Sequence, residues 1–231
     1  MSEKRVWQVD AFRGLAVVLM IVFHFFFDLD YLGLAAFSMY DGAFLVLQRV
    51  TAFLFLSLVG VSLVLAKPDL TQAVRRFLLL SGVAFGITLA TLVYPGKGAI
   101  FFGIIHLIAL SVLLGHFFLR FNSLNLFFGS LFLLSGFVVS GVTTSSPLTL
   151  WLGLRPAGFY TLDYYPLIPW FGLVLFGIFL GKKVFQPLVR SDPPKIAAPL
   201  GWLGRHALWI YLVHQPVIFG VLWVCKYLSV L

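Results

Sequence analysis

The chain has 231 residues, 61% of them hydrophobic and only 10% charged, with a mean hydropathy of +1.04. So much apolar sequence exceeds what a soluble core can absorb, which excludes a soluble globular domain and calls for a lipid-facing exterior. The net charge of +8 requires no nucleic acid, because a basic membrane face against anionic lipid accounts for most of it.

The stretch at residues 9–33 carries Asp10, Arg13, His24 and Asp28 in otherwise apolar sequence, and the first bilayer-length segment is placed within it at residues 11–32. At 100° per residue, Arg13 and His24 return to within about 20° of one direction, and both aspartates lie within about 60° of Arg13. The four make one polar stripe. Facing lipid it would cost several kcal/mol, so it is expected to face other helices or a water-filled cavity. His24 lies roughly 16 Å along the helix from Arg13. Asp28, one turn further, can accept a hydrogen bond from its ring and fix the tautomer, as a general base requires. A histidine satisfied by a neighbouring helix is the structural alternative.

Six more segments follow, at residues 43–66, 74–94, 100–121, 124–142, 165–181 and 206–229. The second holds Arg49 about 10 Å from its outer end, deep enough to call for a partner among Asp28, Asp41 and Asp163. The fourth holds His106 and the seventh His214, each of which alone is read more readily as structural than as catalytic. Taken together with Arg49 and the carboxylates, they suggest one aqueous cavity among the first, second, fourth and seventh segments. Pro216 should free a backbone carbonyl in the seventh. Ser57 and Ser62 read as helix-packing positions. Between the fifth and sixth segments, Trp151, Phe159 and several tyrosines suit a short interfacial helix. The fold expected is an all-α integral membrane bundle of about seven helices, one domain over residues 1–231.

Seven spans starting inside place twelve of the 16 Lys and Arg on the cytoplasmic side, against Arg49, Lys97, Arg155 and Lys226 outside. The N-terminus is then cytoplasmic and the C-terminus outside. Asp28, Asp30, Asp41 and Asp163 lie toward the outer side. The N-terminal apolar run is spanning length, and Asp28 and Asp30 precede the small pair Ala35-Ala36, which argues against a cleaved signal peptide. The histidines are too dispersed for a zinc site, so no metal is expected. GxxxxGK[ST], GxGxxG and GxSxG are all absent, and the single cysteine, Cys225, says nothing of redox compartment.

"VDAFRGLAVVLMIVFH" resembles the first-span motif of the heparan-α-glucosaminide N-acetyltransferase family. Its arginine, ten residues, then histidine is also similar to the acyltransferase-3 membrane O-acyltransferases. "RVTAFLFLSLVGVSL", "FGIIHLIALSVLL", "DYYPLIPWFGLVLFGIFLG" and "WLGRHALWIYLVHQP" continue the first match in order, to about residue 217. The chain departs from the lysosomal enzymes by carrying His24 where they have asparagine. It also has no histidine in the loop "DLDYLGLAAFSMYD".

The resemblance implies acyl transfer from cytoplasmic acetyl-CoA or another acyl-CoA to an acceptor across the membrane. A bacterial cell-envelope sugar or amino sugar suits this shorter chain better than heparan sulfate, and the location implied is the inner membrane. In that scheme Arg13 and Arg205, with Arg75 and Arg76 behind them, hold the CoA phosphates, unless the latter two serve only as topology anchors. The thin pantetheine arm passes Gly14 and Gly60. His24 takes the acceptor's proton, Asp28 steadies the imidazolium, and Arg49 or His106 meets the oxyanion. Asp163 and His214 line the acceptor cavity. A homo-oligomer is compatible with this reading. A proton-coupled small-molecule transporter would use the same embedded groups, and so would a non-catalytic membrane partner of the same fold.

Overall fold

The computed structural model describes residues 6–93, 98–188 and 192–228. Lys4, Arg5, Lys97 and Arg190, which enter the charge count, lie outside the described residues, as does the expected end of the last segment at 229. The apolar segments are helices: α1 (Trp7–Tyr31), α2 (Gly42–Ala66), α3 (Leu70–Val93), α4 (Ile104–Phe118), α5 (Leu124–Val139), α6 (Leu167–Leu180), α7 (Ala198–Arg205) and α8 (Ala207–Tyr227). Among the described residues there is no strand, only two isolated bridges.

Among the described residues, five helical stretches are long and apolar enough to cross a membrane: α1, α2, α3, α6 with the turn that extends it to Phe185, and α8. At 15 and 16 residues, α4 and α5 reach roughly 22–24 Å, short of the ~30 Å hydrocarbon core. They occupy the inner parts of the predicted segments 100–121 and 124–142. The interfacial turn expected between residues 143 and 164 is a 3₁₀ helix at Pro147–Leu152, with Trp151 exposed.

Two compact units divide the chain, residues 1–55 with 188–231 and residues 56–187. In the first, α1 packs against α7 and α8. Its polarity is inverted relative to a soluble helix. Asp10 and Asp28 are 6% and 1% exposed while Phe12 and Phe25 are 45% and 42% exposed, so the carboxylates face protein and the rings face outward.

The contact between α1 and α7 is made of backbone. A Cβ on Gly14 would stand 1.9 Å from the Leu200 carbonyl oxygen, and one on Gly204 would stand 1.8 Å from that of Asp10. The second unit repeats the device. Gly60 sits against the Val174 carbonyl and Gly177 against that of Ser57, the packing role expected of the "SLVGVS" run. This corrects one expectation: the space beside Gly14 and Gly60 is filled by neighbouring helices and leaves no lane for a pantetheine arm. Within the second unit α3 pairs with α4, and α6 with both α4 and α5. Only Ala73, Leu80 and Ala84 of α3 are buried, a narrow stripe that leaves Leu78, Phe85 and Leu89 facing outward.

Candidate functional site

The polar stripe of α1 meets α8 in the first unit. His24 and His214 stand ring to ring, centroids 4.9 Å apart and planes at 62°. Four residues on, Asp28 Oδ1 accepts a hydrogen bond from Gln215 Nε2 at 2.7 Å. Two consecutive residues of α8 therefore engage two residues one turn apart on α1. Lys226 closes the same pairing at the far end by donating to the Leu32 carbonyl.

The protonation pattern follows from the partners. His214 Nδ1 lies 2.7 Å from the Tyr211 carbonyl, which can only accept, so Nδ1 carries the hydrogen and Nε2 presents a lone pair. Pro216, two residues on, has no N–H to give the Leu212 carbonyl. Four buried atoms of this cluster have no hydrogen-bond partner: His24 Nδ1, Asp28 Oδ2, His214 Nε2 and Gln215 Oε1. Unsatisfied polar atoms at this density are unusual, because each costs about 1–3 kcal/mol when buried. A site that binds and deprotonates a polar molecule has that character.

The geometry differs from the sequence expectation in one respect. Asp28 is bonded to Gln215, and His24 has turned toward His214. A spacing of four on one helix permits a His–Asp contact, but the amide across the interface takes the carboxylate. Nothing in the sequence pairs residue 24 with residue 214, although "HQP" in an apolar run does mark a polar face on α8.

His106 and Asp163, in the second unit, hold the start of α4. His106 Nδ1 accepts the Gly103 N–H at 3.2 Å. Its Nε2 then carries the hydrogen and donates to Thr88 Oγ1 at 3.2 Å, while that hydroxyl donates to the Ile100 carbonyl at 2.7 Å. Asp163 Oδ2 accepts the Ile104 N–H at 2.9 Å. Both side chains thus satisfy backbone groups that a helix N-terminus leaves open. Arg49 is exposed on α2. Asp41, on the loop before α2, accepts from the Ser38 hydroxyl at 3.0 Å.

Burial pushes the Asp163 carboxyl up from 3.8 to about 6, with the Ile104 N–H pulling the other way. Between those values the folded chain holds a proton that the unfolded chain releases. Stability is therefore fullest below about pH 4 and falls as pH rises through about 6. Asp163→Asn keeps an oxygen for Ile104 and should flatten that fall, which amounts to roughly 2–3 kcal/mol. An unchanged slope of thermal unfolding across that window would contradict the assignment.

The four arginines expected to hold phosphates divide between the units. Arg13 and Arg205 are in the first, where Arg13 Nη1 lies 3.0 Å from Asp10 Oδ1 and Arg205 is exposed at the end of α7. Arg75 and Arg76 are in the second, exposed on α3. Among the described residues no group of three or more His, Cys, Asp or Glu is placed to hold a metal ion.

Residues 5–216 match the family model described as heparan-alpha-glucosaminide N-acetyltransferase, catalytic. The match takes in both units and His24, Asp28, His214 and Gln215, and the chain belongs to that family of membrane acetyltransferases. No curated protein and no solved structure matches the chain.

Proposed function

We propose that this member of the family is a membrane-embedded acyltransferase. It moves an acyl group, acetyl foremost, from cytoplasmic acyl-CoA to a hydroxyl or amine of a cell-envelope sugar on the outer side of a bacterial inner membrane. The observation that carries the proposal is the His24–His214 contact beside Asp28 and Gln215, with unpartnered nitrogens on both rings.

In this reading His24 removes the proton from the acceptor as its oxygen or nitrogen attacks the thioester carbonyl. The tetrahedral intermediate collapses by breaking the C–S bond, and the CoA thiolate takes the proton from the imidazolium. His214, oriented by the Tyr211 carbonyl, accepts a hydrogen bond from His24 and helps spread the positive charge. Asp28 stands four residues from His24 on α1, and its negative charge favours the imidazolium. Arg49 is the remaining cation assigned to the acceptor side.

Purified protein supplied with labelled acetyl-CoA and a mixture of envelope amino sugars is expected to yield labelled N- or O-acetyl sugar. Proton-driven sugar uptake into liposomes without label transfer would overturn the proposal in favour of a transporter.

The donor's phosphates are assigned to Arg13 and Arg205, basic groups at one end of the first unit. Arg13→Ala and Arg205→Ala should each weaken CoA binding roughly tenfold, the worth of one charge-assisted hydrogen bond. Binding should also weaken with rising salt, as exposed phosphate contacts are screened. Unchanged affinity in both variants would count against this placement.

A further inference from the structure

A cavity of about 640 Å³ opens in the second unit, where α2, α4 and α6 end. Its size falls within the ~300–1,000 Å³ of small-molecule sites. Lys67, His116, Arg120, Asn122, Lys182 and Lys183 contribute to its lining, and among the described residues no carboxylate does. The nearest acid in sequence, Asp69, accepts the Gln72 N–H at 2.8 Å. Helix C-termini attract cations in any case, so each of these groups has a structural duty to be weighed first.

Lys182 has such a duty. Its ammonium donates to the Leu119 carbonyl, to the Phe121 carbonyl at 2.8 Å and to Asn122 Oδ1 at 2.9 Å, which uses all three hydrogens. His116 donates through Nδ1 to the Pro68 carbonyl at 3.1 Å. The other three cations differ. Lys67, Arg120 and Lys183 are exposed at the cavity, with Arg120 lying over the Phe121 ring at 4.6 Å. Among the described residues, neither Lys67 nor Lys183 donates a side-chain hydrogen bond.

Lys67 supplies a second, independent signal. It ends α2 at φ 44°, in the left-handed region, where its N–H bonds the Leu63 carbonyl at 2.9 Å. Glycine fills that position most easily, because a Cβ is disfavoured there. A lysine has been placed where helix termination alone selects glycine, and its chain is anchored at the mouth of a cavity that already holds Arg120 and Lys183.

We propose that this cavity binds a phosphate group, held by Lys67, Arg120 and Lys183 on a floor fixed by Lys182. Two sources share that chemistry: an anionic phospholipid headgroup and the phosphate of a soluble nucleotide. Arg13, Arg205, His24 and His214 contribute nothing to its lining.

The test uses the full chain, wild type against Arg120→Gln/Lys183→Gln and against Lys67→Gly. One arm titrates delipidated protein with adenosine 5′-monophosphate, which lacks the 3′-phosphate of CoA. The other measures retention of phosphatidylglycerol over phosphatidylcholine from nanodiscs by native mass spectrometry. In one arm wild type binds, and the charge-removed variant binds roughly tenfold more weakly or worse. Which arm responds names the source. Lys67→Gly guards against a folding artefact, because it should melt a few degrees higher while binding more weakly. If all three proteins bind both probes equally, the proposal is overturned.

Discussion

Replacing His24 with Ala is expected to lower acyl transfer by about 10²–10⁴-fold, the usual worth of a positioned general base. The fold should survive, because the ring fills the interface between α1 and α8 without making a hydrogen bond through Nδ1. His214→Ala should lose a comparable factor. That differs from the expectation drawn from sequence alone, in which His214 merely lined a cavity. The change comes from the 4.9 Å ring contact and from the Tyr211 carbonyl, which fixes His214 with its Nε2 lone pair unused. Asp28→Asn keeps an acceptor for Gln215 and should fold normally. It should still lose rate, since an amide does not favour the imidazolium as a carboxylate does. His106→Ala should instead act on stability, by opening the Gly103 and Thr88 bonds at the start of α4. Normal turnover in His24→Ala, measured with labelled donor at matched folded protein, would make the α1 stripe structural.

Gly204→Ala is expected to have the largest effect on stability. The added Cβ would stand 1.8 Å from the Asp10 carbonyl oxygen and 2.7 Å from its carbon, both backbone atoms of a helix. No rotamer relieves a backbone clash, so α7 would have to move off α1. Overpacking typically costs about 1–3 kcal/mol where side chains can give way, and more where they cannot. A loss of roughly 3 kcal/mol or more is expected, read as a fall in the midpoint of unfolding in detergent. Gly82→Ala serves as the control. A Cβ there meets nothing within 4 Å, and removing a helix-interior glycine should stabilise by about 0.5–1 kcal/mol. Equal midpoints for the two variants would mean that α1 and α7 do not approach as closely as described.

The helices were legible because a run of apolar residues long enough for a bilayer is a strong signal. All seven predicted segments contain a helix, with ends displaced by up to four residues, the largest shifts at Trp7, Leu70 and Ile104. The eighth, Ala198–Arg205, lies between the sixth and seventh predicted segments. Its eight residues are too few for a bilayer-length window, and its Gly201 and Gly204 resemble a breaker signal. The structure uses Gly204 for close contact instead.

In the candidate site, the embedded charges were visible because the membrane penalises idle polarity, and Asp10 and Asp28 are indeed turned into protein. Partnership was not visible. Gln215 as the mate of Asp28 depends on how α1 and α8 meet, and periodicity along one helix carries no such information. The caps made by His106 and Asp163 were hidden for the same reason, since residue 163 reaches Ile104 across 59 positions of chain.

The most direct test of the His24–His214 pair is a double-mutant cycle on label transfer from acetyl-CoA. It compares wild type, His24→Ala, His214→Ala and the double variant at matched folded protein. Residues that act as one unit are strongly non-additive. The two histidines acting together predict that the double variant loses about as much rate as either single variant. Near-normal transfer in either single variant would contradict that, and so would losses that multiply in the double.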